Sequence, residues 1–299
     1  MEMDIHKFYE ITTKRLQEVA KYQREMCGKA KNLGKEVKGI ENTNLTSALT
    51  YMDMFTQDYL MIPLYKAFPD MVPAVEESTG MKVKYQDNKS DYSLIIDPID
   101  GTDAYCSGNK DYSSLVGLLH KNKMVVGVCS YPERGEIYAA IKGEGAWKID
   151  NLGLLRTLPK LKDVSFNDKN VAVHYRLLRE PLNSLGDNLH NKGYVTPSNK
   201  DDFKTNLTGI LRIAEGLSCG FIGPHITLHD IGAPALIIEE LGGVIRRFDY
   251  DGKDDAKNWI KMDNSFPGLD PKEENPRFRV IIAKDEMTID RLVEDMINP

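Results

Sequence analysis

Leu94-Ile95-Ile96-Asp97-Pro98-Ile99-Asp100-Gly101-Thr102 is a short apolar run that ends in two aspartates, a glycine and a threonine. Ser93 to Ile96 has the length and composition of a buried strand, and Asp97 lies at its carboxyl end, where ligand sites of α/β proteins usually lie. Pro98 stiffens the turn that follows, so Asp100 points back toward Asp97. Gly101 lets backbone approach a ligand closely, and a helix starting here aims free N–H groups at an anion. Two aspartates with a carbonyl between them make a hard oxygen site suited to Mg²⁺. Taken alone, the fragment is better read as a D-x-x-D-G turn that caps a helix. Its meaning depends on what surrounds it.

Downstream, Ser113–His120, Met124–Tyr131 and Glu136–Lys142 are β-rich runs separated by KNK and PERG turns, which predicts an antiparallel meander. Upstream, Ile5 to Met26 has apolar residues at helical spacing, and a second helix is expected from Thr46 to about Phe68, with Pro63 kinking or ending it. Gly28 to Asn44, rich in glycine and lysine, reads as an exposed loop. The C-terminal half alternates. A strand is expected at Val171–His174, a helix at Asn206–Ser218, and a strand at Cys219–Gly223. Then come a helix at Ala233–Leu241, starting slightly late because of Pro234, and a strand at Val244–Tyr250. Asp251–Pro276 reads as a polar surface excursion before a last strand, Phe278–Lys284. The pattern predicts a layered α/β architecture with two sheets. Two halves are expected: 1–150, with the antiparallel sheet and most of the acidic site, and 151–299, smaller and closing the substrate pocket.

Two other segments place carboxylates at the ends of apolar elements: Val75-Glu76-Glu77-Ser78, and Asp230 ahead of the helix carrying Ile237, Ile238 and Leu241. Alone, Glu76–Glu77 is a solvated pair and Asp230 an N-cap. His225 and His229 stand near the last segment, but a Mg²⁺ site is built from oxygen, so packing or pocket lining is the expected role of His229.

The 299 residues suffice for a large core or two tightly joined ones, and a formal charge of −6 argues against a nucleic-acid partner. Cys27, Cys106, Cys129 and Cys219 show no metal or disulfide spacing and are expected as reduced thiols. The N-terminal MEMDIHKFYE has no apolar signal-peptide core, and no apolar run is long enough to span a bilayer, so a soluble cytoplasmic protein is expected.

In this order, VEES, DPIDGT, GEGAW and HDIGAPALIIEELGG resemble the motifs of the inositol monophosphatase superfamily, which includes 3′(2′),5′-bisphosphate nucleotidases and fructose-1,6-bisphosphatases. The resemblance runs from about Thr46 to Lys284. It implies a layered α/β/α/β/α sandwich and a Mg²⁺-dependent phosphomonoesterase without a covalent intermediate. It assigns Glu76, Asp97 and the Ile99 carbonyl to one Mg²⁺ and Asp97, Asp100 and Asp230 to a second, with a third, weaker ion near Glu76. Paired ions about 3.5–4 Å apart clamp an in-line displacement at phosphorus. Thr102, backed by Asp53, orients the attacking water; Glu77 holds metal waters; Asp100, Gly101 and Thr102 contact the phosphate. Lithium sensitivity and a homodimer also follow from the resemblance.

The substrate side departs from the family pattern. Gly223 stands where inositol monophosphatases have a glutamate for the inositol hydroxyls, Val75 replaces a glycine, Ser47 replaces an acid and His229 replaces a tryptophan. Arg212 stands where small residues are usual; it either binds a second phosphate or lies on the surface. A 3′-phosphoadenosine 5′-phosphate nucleotidase is therefore a rival to an inositol-phosphate phosphatase. A non-catalytic relative that binds a phosphorylated ligand is the alternative from another class.

Overall fold

The computed structural model describes residues 2–34, 49–248 and 277–298. Ser47, Lys35–Asn44 of the expected loop, and the expected excursion Asp251–Pro276 lie outside the described residues.

Two helices cover the outer face of the first sheet. α1 (Ile5–Met26) has the predicted bounds. α2 (Tyr51–Ala67) begins after Thr50, whose side chain caps it, and continues through Pro63. Buried Leu60, Met61, Leu64 and Tyr65 hold its last turns against the sheet, outweighing the hydrogen bond that Pro63 cannot make. The sheet has seven strands in sequential order: β1 (Val72–Val75), β2 (Tyr92–Asp100), β3 (Ser113–His120), β4 (Lys123–Tyr131), β5 (Glu136–Ile141), β6 (Gly145–Ile149) and β7 (Leu155–Thr157). Only β1 and β2 run parallel; the rest is the expected meander. Two short helices, α3 (Gly80–Tyr85) and α4 (Thr102–Cys106), flank β2.

Both faces of β2 are buried. Leu94 and Ile96 pack with Phe8, Leu16, Leu60 and Leu64 of the outer helices. Ile95 points the other way, into a core shared with Ile231, Leu236 and Ile237. Those last residues belong to α7 (Leu228–Glu240), which with α6 (Asn206–Ala214) forms a middle layer. α7 comes so close to β4 that a Cβ on Gly127 would sit 2.6 Å from the Ala233 carbonyl oxygen, so only glycine fits there.

Beyond the middle layer lies a mixed four-stranded sheet in the order β10 (Val244–Phe248), β11 (Phe278–Ala283), β9 (Gly220–Ile226), β8 (Ala172–Val173). β8 and β9 pair in parallel; the other pairs are antiparallel. The last layer is α5 (Asn183–Asn191) and α8 (Glu286–Ile297), whose Leu185, Leu189, Ile289 and Leu292 pack on Ile222 and Ile281. The layers therefore follow the expected α/β/α/β/α order.

Two predicted boundaries are corrected. α7 starts at Leu228, five residues before Ala233, because Thr227 and Asp230 form a capping box and Pro234 falls inside the helix. α6 ends at Ala214 rather than Ser218, where Gly216 adopts a positive φ of 72° that breaks the helix. All four cysteines are free, with Cys129 and Cys219 buried. Among the described residues no helix is long and apolar enough to cross a membrane.

Candidate active site

Residues three apart on a regular strand point to opposite faces, which would send Asp97 and Asp100 in different directions. The register shows why they do not diverge here. Asp97 pairs with Leu115 and Asp100 with Ser113, so three steps on β2 oppose two on β3. The extra residue is a bulge, and it brings both aspartates to the same cavity. Pro98 sits in the bulge, where a missing N–H costs no ladder hydrogen bond. Its carbonyl is fixed by the Ser114 hydroxyl at 2.7 Å and by the amide of buried Gln23 at 3.2 Å.

Glu76 arrives from the neighbouring strand. Val75 pairs in parallel with Ile96, and the Glu76 N–H donates to the Ile96 carbonyl at 3.0 Å, so Glu76 leaves β1 beside Asp97. Gln57 of α2 exchanges two hydrogen bonds of 2.8 Å with the Glu77 backbone, fixing this strand end from outside. Asp230 enters from the first turn of α7, where the Thr227 N–H and hydroxyl donate to its Oδ2 at 2.9 and 2.5 Å. Glu76, Asp97, Ile99, Asp100, Gly101, Thr102 and Asp230 all line one cavity of about 550 Å³. Gly101 has a φ of 90°, and a Cβ there would meet the Lys204 carbonyl at 3.2 Å, so glycine is required on both counts.

The four carboxylates are not in equivalent states. Asp100 is buried, but its oxygens accept from the backbone N–H groups of Asn206 and Leu207, at 3.2 and 3.1 Å, and from Ser113 Oγ at 3.0 Å. Burial nonetheless pushes its pKa up to about 7, because these bonds do not offset the lost hydration and the charge of Asp230 adds to the rise. Asp97 is 3% exposed, and among the described residues its Oδ1 has no hydrogen-bond partner. Burial above all, then Glu76, Asp100 and Asp230, hold it well above the usual carboxylate range. A buried carboxylate oxygen without a donor, facing other carboxylates, is costly unless a cation neutralises it. The donor set consists of hard oxygens and therefore fits Mg²⁺. Among the described residues no three acidic, histidine or cysteine side chains form a ready-made metal cage.

Thr102 Oγ1 lies 2.8 Å from the Ile99 carbonyl and 3.3 Å from Asp53 Oδ1, so its single proton has two acceptors. Asp53 is fully buried behind it, with Oδ2 accepting from the Thr50 N–H and hydroxyl at 2.7 and 2.6 Å.

Arg212 is not brought to this cavity; its Nε donates to Ser218 Oγ at 3.3 Å, at the far end of α6. His229 is buried in α7 and does not line the cavity, while His225 Nε2 lies 2.7 Å from Arg277 Nη1. Gly223 cannot be replaced by a larger residue without displacement, since a Cβ there would sit 2.4 Å from Ile226 Cγ1. Part of the lining was not foreseen from the sequence: His174, Tyr175, Arg179, Lys200, Lys204 and Asn206 also border the cavity. No motif marks these residues, because they come from separate segments, a short 3-10 turn, a loop and the start of α6, joined only in space.

The family model for the inositol monophosphatase family matches residues 4–279, and the chain belongs to that family. It is 32% identical over 237 residues to the Nus factor SuhB of Haemophilus influenzae, covering 69% of this chain and 86% of the relative. It is 27% identical over 213 residues to the 3′(2′),5′-bisphosphate nucleotidase CysQ of Aggregatibacter actinomycetemcomitans, covering 70% and 74%. An IMPase/NADP phosphatase structure complexed with Mg²⁺ and phosphate superposes with a TM-score of 0.72 at 15% identity, covering 99% of this chain and 97% of that one.

Proposed function

We propose that this chain is a Mg²⁺-dependent phosphomonoesterase acting on a small phosphorylated metabolite. The observation that carries the reading is Asp97, which lines one cavity with Glu76, Asp100 and Asp230 and whose buried Oδ1 has no hydrogen-bond partner among the described residues. Glu76, Asp97, the Ile99 carbonyl, Asp100 and Asp230 would hold two or three Mg²⁺ ions. Bound there, the ions supply the positive charge that draws a phosphate to an acidic protein and the acidity that activates a water.

The chain's own groups do the rest. Were a cation to take up the Ile99 carbonyl, the Thr102 hydroxyl would donate to Asp53 and its lone pair would accept a hydrogen bond from the attacking water; the water's proton would pass to Thr102 as the Thr102 proton passes to Asp53. Asp53 stays in place because its second oxygen is held by the cap of α2. Thr102 N–H and Gly101 N–H start α4 beside the phosphate. Asp100 holds the N-terminus of α6 against the site, so the carboxylate wall and the middle layer keep a fixed distance.

The substrate reading turns away from inositol phosphate, because Gly223 offers no carboxylate to grip inositol hydroxyls and a side chain there would displace Ile226. The Nus-factor names of some relatives keep an assembly role in view; the complete set Glu76, Asp97, Asp100, Asp230, Thr102 and Asp53 favours catalysis. A homodimer and a two-half organisation at 1–150 and 151–299 are part of the same proposal. Phosphate release with Mg²⁺ is the test, on inositol 1-phosphate, 3′-phosphoadenosine 5′-phosphate, fructose 1,6-bisphosphate and glycerol 2-phosphate, with Asp230→Asn as control. Turnover of one compound, lost in the control and inhibited by Li⁺, is the expected result. Silence on all four with Mg²⁺ bound supports the ligand-binding alternative.

A further inference from the structure

We infer that Gln23, on the outer helix α1, is a positioning residue for the Mg²⁺ site: its amide holds the Pro98 carbonyl where the bulge turns both Asp97 and Asp100 into the cavity. The inference rests on the phosphatase reading above and adds to it a residue that does not itself line the cavity.

Gln23 stands in the last turn of α1 and is fully buried. A buried amide that finds no partners costs stability, so each of its hydrogens needs an acceptor. Ser114 has one hydroxyl proton, and it goes to the Pro98 carbonyl at 2.7 Å. The Ser114 oxygen is therefore an acceptor, and it takes one hydrogen of the Gln23 amide at 2.9 Å. The other amide hydrogen faces the Pro98 carbonyl and Thr56 Oγ1, both at 3.2 Å. Two donors on one neutral group meet this demand. A glutamate would bring lone pairs against the carbonyl instead, and an asparagine is one methylene shorter. Gln23 Oε1, by contrast, is buried with no hydrogen-bond partner among the described residues. An amide whose oxygen gains nothing contributes little to stability, which points to a use in what its two hydrogens hold.

What they hold is the bulge between Asp97 and Asp100, after which the ladder to β3 resumes at Asp100 and Ser113. Pro98 has no N–H, so its carbonyl is the one backbone group by which this residue can be fixed. With that carbonyl released, the extra residue is free to shift along β2, and the two aspartates then turn toward opposite faces of the strand. The end of α1 also braces the helix that begins with Thr102. The hydroxyl of buried Tyr105 donates to the Gln23 carbonyl at 2.9 Å, and the Gly28 N–H donates to the Tyr105 carbonyl at 2.9 Å. Side chain and backbone of Gln23 therefore tie the aspartate bulge and α4 to one point on the outer layer, from 75 and 82 residues away in sequence. Groups that hold metal ligands in place ordinarily change metal affinity by roughly 10–100-fold when they are removed.

The test is titration calorimetry of Mg²⁺ into the metal-stripped full chain, for the wild type, Gln23→Met and Thr56→Val, with thermal midpoints measured alongside. Methionine is close to glutamine in length and volume; it removes both donors and the partnerless oxygen together. Gln23→Met should bind Mg²⁺ at least about tenfold more weakly, while its metal-free midpoint stays within about 3 °C of the wild type. Thr56→Val removes an acceptor of the same amide but leaves the bulge held, so its Mg²⁺ affinity should match the wild type. In phosphate release, saturating Mg²⁺ should restore kcat of Gln23→Met to within about threefold, a rescue that a merely destabilised protein would not show. Should Gln23→Met not fold, Ser114→Ala, which takes the second support from Pro98, carries the same prediction. Wild-type Mg²⁺ affinity in the bulge variant, an equal loss in Thr56→Val, or a kcat that Mg²⁺ does not restore overturns the positioning role alone. A wild type that takes up no Mg²⁺ overturns the phosphatase reading and the positioning role with it.

Discussion

Asp97 and Asp168 are the same residue in opposite circumstances. Asp168, half-exposed at the edge of the second sheet, has Lys284 Nζ at 2.6 Å and Arg291 Nη1 at 3.6 Å. The Lys284 hydrogen bond, aided by the Arg291 charge, holds its pKa below the usual range. Asp97, buried in the middle of the molecule, meets other carboxylates and is driven upward. The first carboxylate stabilises the metal-free fold slightly; the second works against it. A fold that retains a buried acid among other acids, on a strand covered on both faces, has a use for that group, and in the reading proposed above the use at Asp97 is to hold a cation.

Asp97→Asn should separate these two regions most sharply. Removing the charge from the centre of the site should lower turnover several-hundredfold, a loss of about 3–4 kcal/mol in transition-state stabilisation, read as phosphate release with Mg²⁺. Asp100→Asn should also abolish most activity, but it additionally puts an amide NH₂ against one of the two N–H donors, Asn206 or Leu207, that now bond separate Asp100 oxygens. It should therefore destabilise the protein by about 1–3 kcal/mol in denaturant unfolding, which the Asp97 change should not.

Gly127→Ala tests packing without touching charge. The added methyl meets the Ala233 carbonyl, so a loss of about 1–3 kcal/mol in stability is expected, with KM unchanged. The pH dependence of the metal-free protein gives a further contrast. The folded pKa of Asp100 is raised from 3.8 to about 7, so the folded state holds more protons than the unfolded chain between those values. Its contribution should weaken stability as pH rises through that window, and Mg²⁺ affinity should rise over the same window. Asp168 has the opposite sign: its small contribution is present above the unfolded value of 3.8 and is lost as pH falls through its lower folded value. Asp168→Asn should accordingly cost only about 0.5 kcal/mol near neutral pH, and nothing in strong acid, because solvent screens the pair.

Much of this contrast is legible before folding. The strand into Asp97, the meander after it and the helix of Ile5–Met26 announce themselves by period, and the order of acidic motifs locates the cavity. The bulge that aligns Asp97 with Asp100 is less visible, since it depends on the partner strand's register. Two T-x-x-D spacings, Thr50–Asp53 and Thr227–Asp230, mark the true starts of α2 and α7 and correct the reading built on Pro234. α8 was equally available: Asp285 caps it, and Ile289, Leu292 and Met296 fall at helical spacing. Tyr175, Arg179 and Lys200 could not be singled out, because an exposed basic loop looks the same whether it faces bulk water or a cavity. The open reading of Arg212, as a second-phosphate ligand or a surface residue, has the same origin; the residue does not line the cavity.

Thermal unfolding of metal-stripped protein, with and without Mg²⁺, for the wild type and Asp97→Asn, tests the central claim most directly. The account predicts that Mg²⁺ raises the wild-type midpoint. It also predicts that metal-free Asp97→Asn already melts about 2–4 °C above the metal-free wild type and responds little to Mg²⁺. A wild-type midpoint indifferent to Mg²⁺, or an equal rise in both proteins, would contradict it.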